Sequence, residues 1–105
     1  MRPERKMKPG SGDIRVKMLI DGEELAQLKR HTWQMAEAFG LDSRIERYQG
    51  TRAIGFYRWD MDCLIDVVDM ALNDTREYPS KDSSGYVALK RLHARLKEQY
   101  RRAFD

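Results

Sequence analysis

From Asp13 to Ile20 the side chains alternate, with Ile14, Val16, Met18 and Ile20 on one side and Arg15, Lys17 and Leu19 on the other. A period of two is the pattern of a β-strand with one buried face. A single strand leaves its backbone N–H and C=O groups without partners, so this segment obliges the fold to supply a second strand. Two sources are open. One is residues 52–59 of the same chain, where Ile54 to Trp59 is aromatic and contains a glycine, as strands often are. The other is the twin strand of a second copy, which makes a homodimer. Residues 52–59 also read as helix, because Ile54, Tyr57, Met61, Leu64, Ile65, Val68 and Leu72 make one continuous helical stripe.

The rest of the chain has helical periodicity. Asp21 is placed to cap a helix over 22–39, with Glu23 and Glu24 in its first turn. Leu25, Leu28, Thr32, Met35, Ala36 and Phe39 fall within about 100° of one another around it. Gly40 supplies a left-handed stop, and Leu41 stands where a Schellman contact is expected. A short helix follows from Asp42 or Ser43 to before Gly50, a longer one spans 60–73, and a polar loop covers Asp74 to Gly85. The last helix, about 84–102, has the stripe Tyr86, Leu89, Leu92, His93, Leu96, Tyr100, Ala103 and Phe104. The expected fold class is mainly α, or α+β by strict count: a small helical bundle of three main helices and one short helix, with one or two short strands. Residues 1–12, rich in Pro, Gly and basic residues, are expected to be a flexible basic arm, and 13–105 a single small domain.

At 105 residues the chain holds one ordinary core and no more. Hydrophobic residues at 41 % exclude disorder throughout. Unbroken aliphatic runs such as Met18 to Ile20 are far below the roughly 18 residues of a membrane span. The basic N-terminus lacks the apolar stretch of a secretory signal, so the expected location is cytoplasmic. Cys63 is the one cysteine and reads as a small buried hydrophobe. His31 and His93 have no second ligand at metal spacing, and neither a metal nor a cofactor is expected. Phosphate loops, nucleophile elbows and zinc-protease motifs do not occur, so the chain is expected not to be an enzyme.

Charge is unevenly distributed. Residues 1–17 carry six basic and two acidic side chains, 18–85 eight and thirteen, and 86–105 six and two. Basic ends on an acidic middle either fold back on it or meet a polyanion. Asp62, Asp66, Asp69 and Asn73 form a carboxylate ridge on one helix face, a solvated surface unless something cationic docks there. Lys90, Lys97 and Arg101 form one basic ridge on the last helix, and Arg91, Arg95 and Arg102 another, suited to phosphates, an anionic membrane surface or plain solvation. His93, on the apolar face, is expected to be a packed, hydrogen-bonded core histidine. Phe56, Tyr57 and Trp59, with Trp33 and the neighbouring Arg52 and Arg58, have the residue types of interface hot spots, or simply fill the core.

The first functional expectation is a non-enzymatic protein-interaction or regulatory module that recognises another protein through Trp33, Phe56, Tyr57, Arg58 and Trp59 or through Asp62, Asp66 and Asp69. The alternative is nucleic-acid binding through Arg15, Lys17, Lys90, Arg91, Arg95, Lys97 and Arg101. A basic arm, an alternating strand, a capped helix, a glycine and a second helix beginning at Leu41 resemble the ribbon-helix-helix pattern over residues 13–48, with a longer first and shorter second helix than that family has. The resemblance implies a dimer whose paired strands present Arg15 and Lys17 to the DNA major groove.

Overall fold

A computed structural model describes residues 15–35 and 40–104. In chain order the elements are β1 (Val16–Met18), α1 (Gly22–Lys29), a 3-10 turn (Thr32–Met35), α2 (Leu41–Arg47), β2 (Ile54–Phe56), α3 (Arg58–Leu72) and α4 (Ser84–Phe104). This is a mainly α bundle with a small two-stranded sheet, the class the periodicities imply. The expected basic arm, Ile14, Ala36 and Phe39 lie outside the described residues.

The first strand finds its partner inside the chain. β1 pairs antiparallel with β2, Val16 opposite Phe56, Lys17 opposite Gly55 and Met18 opposite Ile54. The ambiguous stretch 52–59 therefore divides: its centre is strand, and α3 starts at Arg58, two residues earlier than expected. Alternation sends Val16, Met18 and Ile20 into the core and leaves Arg15, Lys17 and Leu19 on the outer face.

α4 is the spine of the bundle and packs against both α1 and α3. Leu89, Leu92 and Leu96 are fully buried, each worth roughly 1.5–3 kcal/mol of transfer free energy. They meet Leu28 of α1 and Met61, Leu64 and Val68 of α3 in one continuous core. The buried face of α3 also takes in Val67 and Ala71, while Ile65 and Leu72 are only partly buried. That turns the helix somewhat from the orientation its stripe implies.

The helix expected over 22–39 ends at Lys29. Beyond it the N–H groups of Arg30 and His31 donate to Gln27 O and Leu28 O, the tighter i to i−3 pattern that opens the 3-10 turn. Tertiary hydrogen bonds stabilise the change: His31 Nε2 lies 2.9 Å from the Tyr78 hydroxyl, and Thr32 Oγ1 donates to Glu46 Oε2 of α2 at 2.9 Å. β-branched Thr32 adds little intrinsic helix preference to oppose it. Asp21 occupies the N-cap position of α1 but its side chain makes no capping bond. Gly40 is left-handed, as expected, and leads into α2, whose first residue Leu41 is fully buried.

Two buried carboxylates, each paired with partly exposed arginine, fasten the elements. Glu24 of α1 accepts from Arg91 Nε at 2.8 Å and from Arg95 of α4, and Arg95 also donates to the Leu19 carbonyl at 2.6 Å. Asp60 of α3 accepts from Tyr57 N–H and from Arg44 of α2, both at 2.9 Å, and Arg44 donates further to the Gly55 carbonyl of β2. Sheet, α2 and α3 thus meet at one guanidinium.

The 48–52 turn is held against β1 by Tyr48, whose hydroxyl accepts from Ile20 N–H at 3.2 Å and donates to Arg52 O at 2.5 Å. Gly50 makes that turn at φ +76°, and a Cβ there would lie 3.1 Å from Ile20 O, Asp21 Cβ and Leu25 Cδ2. Gly50→Ala is expected to lower unfolding free energy by about 2 kcal/mol, the left-handed penalty plus crowding, read from urea denaturation midpoints. An unchanged midpoint would show that the turn yields freely.

Candidate functional site

Strand pairing assembles a feature no single stretch of sequence displays. A cleft of about 550 Å³ opens beside the sheet, lined by Arg15 and Lys17 from β1 and the residue before it, Arg44, Arg47 and Tyr48 at α2, and Arg52, Ala53 and Ile54 leading into β2. Five of these eight residues are cationic and none is acidic. Arg44 is committed to Asp60, whereas Arg15, Lys17, Arg47 and Arg52 are exposed. Like charges gathered on a concave wall focus a positive potential that attracts an anion and excludes a cation.

Arg15 links the cleft to an aromatic pair outside its lining. Arg15 reaches over the Tyr57 ring, its guanidinium carbon 6.0 Å from the centroid, and Tyr57 stacks on Trp59 with centroids 4.8 Å apart and planes 15° from parallel. Trp59, in the first turn of α3, is 45 % exposed. Between them Gly55 presents no side chain on the outer face of β2, and Arg15 lies across the space a Cβ would take.

The other sequence candidates are dispersed. Phe56 is fully buried in the core beneath the sheet, which removes it from the partner-binding set; its strand position turns it inward opposite Val16. Arg58 donates to the Tyr100 hydroxyl at 2.9 Å and lies over the Tyr100 and Phe104 rings, tying α3 to α4. Trp33, 72 % exposed, is separated from the other aromatics: it flanks a cleft with Met70 near the far end of α3, roughly 16 Å along the helix from Trp59. Arg91 and Arg95 are taken up by Glu24 and hold α1 to α4.

The carboxylate ridge and the basic ridge face one another. Asp62 and Asp66 of α3 line a groove with Lys90, Lys97, Glu98 and Arg101 of α4, three acidic and three basic side chains across one channel. Arg101 donates to Glu98 at 2.6 Å. The basic C-terminal helix therefore meets the acidic middle of the chain, and these cations are offset locally where those of the strand cleft are not. Asp69, also exposed, stands 3.8 Å from His93 Nε2, too far for a hydrogen bond. His93 is part-buried with Nε2 unpartnered among the described residues, a departure from the hydrogen-bonded histidine expected. No group of three His, Cys, Asp or Glu among the described residues is arranged to hold a metal ion.

The buried polar cluster around Tyr78 escaped the sequence reading. Tyr78 donates to Gln27 Oε1 at 2.7 Å and thereby accepts from His31 Nε2–H; Gln27 Nε2 donates to Glu23 at 2.6 Å, and Arg30 bridges Gln27 and Glu77. A Cβ on Gly85 would lie 2.7 Å from Gln27 Nε2, so α4 approaches this cluster where it has no side chain. Burial holds His31 below the ordinary 6.5; Glu77 and Asp74 oppose the shift and Arg30 adds to it. Burial likewise lowers His93, with Asp69 opposing and Lys97 adding. The unfolded chain then binds more protons than the folded one below pH 6.5, so stability falls as pH drops through that value. Thermal unfolding midpoints are expected to decline from pH 7.5 toward pH 5.5 and to decline less in His31→Gln; equal slopes would remove His31 from the account.

No helix among the described residues is long and apolar enough to cross a membrane. No family model, curated protein or solved structure matches the chain.

Proposed function

We propose that this chain is a nucleic-acid-binding module and that the strand-side cleft holds the phosphate backbone. The observation that carries the reading is the set of five cationic residues around one cleft, with no acidic residue among the described residues that line it. Arg and Lys at such a surface neutralise phosphates and release condensed counterions, which supplies most of the affinity of a backbone-tracking protein. A polymer suits the arrangement better than a membrane surface, because the apolar stripe of α4 is spent on the core. Arg15 and Lys17, which the alternative reading set into the major groove from a dimeric ribbon, would instead meet phosphates from within one chain, because β1 takes its partner from β2.

The test is fluorescence anisotropy of a labelled oligonucleotide at several salt concentrations. With Arg44 engaged, four cations remain. About 0.7 counterions released per phosphate contact then gives a log–log slope near −3, and affinity falls about 50-fold between 50 and 200 mM salt. Salt-independent binding, or none at low salt, contradicts the proposal.

A separate observation favours a second, protein-recognition reading. Trp33 and Met70 are both strongly exposed beside a cleft of about 480 Å³, where Gln34 Oε1 is buried without a hydrogen-bond donor among the described residues. An exposed aromatic anchor beside a cleft fits a peptide partner that covers the ring. Selection from a displayed peptide library supports this reading if binding is lost in Trp33→Ala and kept in Arg47→Ala. Selection of no Trp33-dependent peptide removes it.

A further inference from the structure

Resting on that reading, we infer that the ligand is a single strand, one base of which stacks on the Tyr57–Trp59 pair while its phosphates run along Arg15, Lys17, Arg47 and Arg52. Two observations join here. The aromatic pair is already parallel, and Trp59 keeps nearly half its surface open to solvent, so a third flat ring can extend the stack. Arg15 belongs to both features, lining the cleft and reaching over Tyr57, which makes the aromatic pair and the cationic wall one surface.

The same geometry disfavours a duplex. Bases in a duplex are stacked on each other and present only their edges in the grooves, so an aromatic face has nothing to receive. Groove reading needs a protruding helix or ribbon. Here the sheet is two strands of three residues each, lying against the bundle, and the long helices α3 and α4 pack on one another. Splayed bases of a single strand do offer ring faces, and stacking on aromatic side chains beside a basic groove is a sequence-tolerant way to hold them.

The experiment uses the full chain with Trp33→Phe, so that Trp59 is the one tryptophan, titrated with oligothymidylate. Tryptophan emission reports stacking, and anisotropy of a labelled copy reports binding. The inference predicts quenching on binding, a loss of about 5- to 100-fold in affinity for Trp59→Ala, recovery of most of it by Trp59→Phe, and weaker binding of a duplex of equal length. Inorganic polyphosphate, which has no bases, should bind without quenching. Salt-dependent binding that needs Arg47 and Arg52 yet leaves Trp59 emission and the Trp59→Ala affinity unchanged overturns the stacking inference and leaves the cleft reading standing. Preference for the duplex overturns it too. Failure of every phosphate polymer to bind overturns both.

Discussion

Replacing Arg91 and Arg95 together with alanine is expected to remove about 3–5 kcal/mol of stability, the range for stranding one member of a buried charge cluster. Glu24 is the reason: its side chain is 6 % exposed and its two cationic partners both come from α4. With both gone, a carboxylate is left between α1 and α4 with no opposite charge beside it. Each single substitution leaves one partner and should cost much less. Adding Glu24→Gln to the double variant removes the stranded charge and should restore a good part of the loss. Chemical denaturation of the four proteins reads this out, and a double variant within 1 kcal/mol of the parent, against the several expected, would show that Glu24 reaches water. Because small domains carry only about 5–15 kcal/mol in total, the predicted loss takes a large share of the margin.

Arg44→Ala is expected to be nearly as damaging, at about 3 kcal/mol. Asp60 is 2 % exposed and would keep the Tyr57 N–H as its one remaining hydrogen-bond donor among those observed. The guanidinium forks, one arm to Asp60 and the other to the Gly55 carbonyl, so it joins α2, α3 and β2 through one planar group. Arg44→Lys should recover little, since a single ammonium on a flexible stem does not reproduce the fork. Denaturation midpoints test this, and full recovery by lysine would reduce the site to a simple charge pair. The substitution should also weaken binding of nucleic acid indirectly, since Arg44 forms part of the cleft floor. Arg47 and Arg52, exposed and uninvolved in any observed side-chain bond, are the cleaner positions for testing binding itself.

The periodicities made the fold class legible because each apolar stripe had one face to bury. The strand 14–20 announced its need for a partner, and Ile54 to Trp59 held that partner, yet the helical stripe running through the same residues kept the assignment open. What decided it was pairing between residues some forty positions apart, which no local pattern contains. The break after Lys29 was hidden for a related reason. Leu25, Leu28, Thr32 and Met35 have helical spacing, and the hydrogen bonds that favour the tighter turn come from Tyr78 and Glu46.

The candidate site was half legible. Arg15 and Lys17 were visible as the outer face of a strand and Arg52 as a neighbour of the aromatic cluster, whereas Arg44 and Arg47 lie within a stretch acidic on average. Their i, i+3 spacing at 44 and 47 was the available signal, but only the β1–β2 register brings it beside the strand. The α4 cations were more conspicuous in sequence and are the ones the fold uses internally, two on Glu24 and three across the groove from Asp62 and Asp66. Net charge by segment therefore draws attention to α4 and away from the strand-side cleft.

The most direct test of the central claim is a comparison of two charge reversals in the anisotropy titration with oligothymidylate at low salt. Arg47→Glu with Arg52→Glu alters the strand-side cleft, and Lys90→Glu with Lys97→Glu makes the same change in net charge on α4. The cleft account predicts a loss of more than about tenfold for the first pair and a change within about twofold for the second, since only the first removes phosphate contacts. Equal losses from both pairs, or a larger loss from the α4 pair, would contradict it.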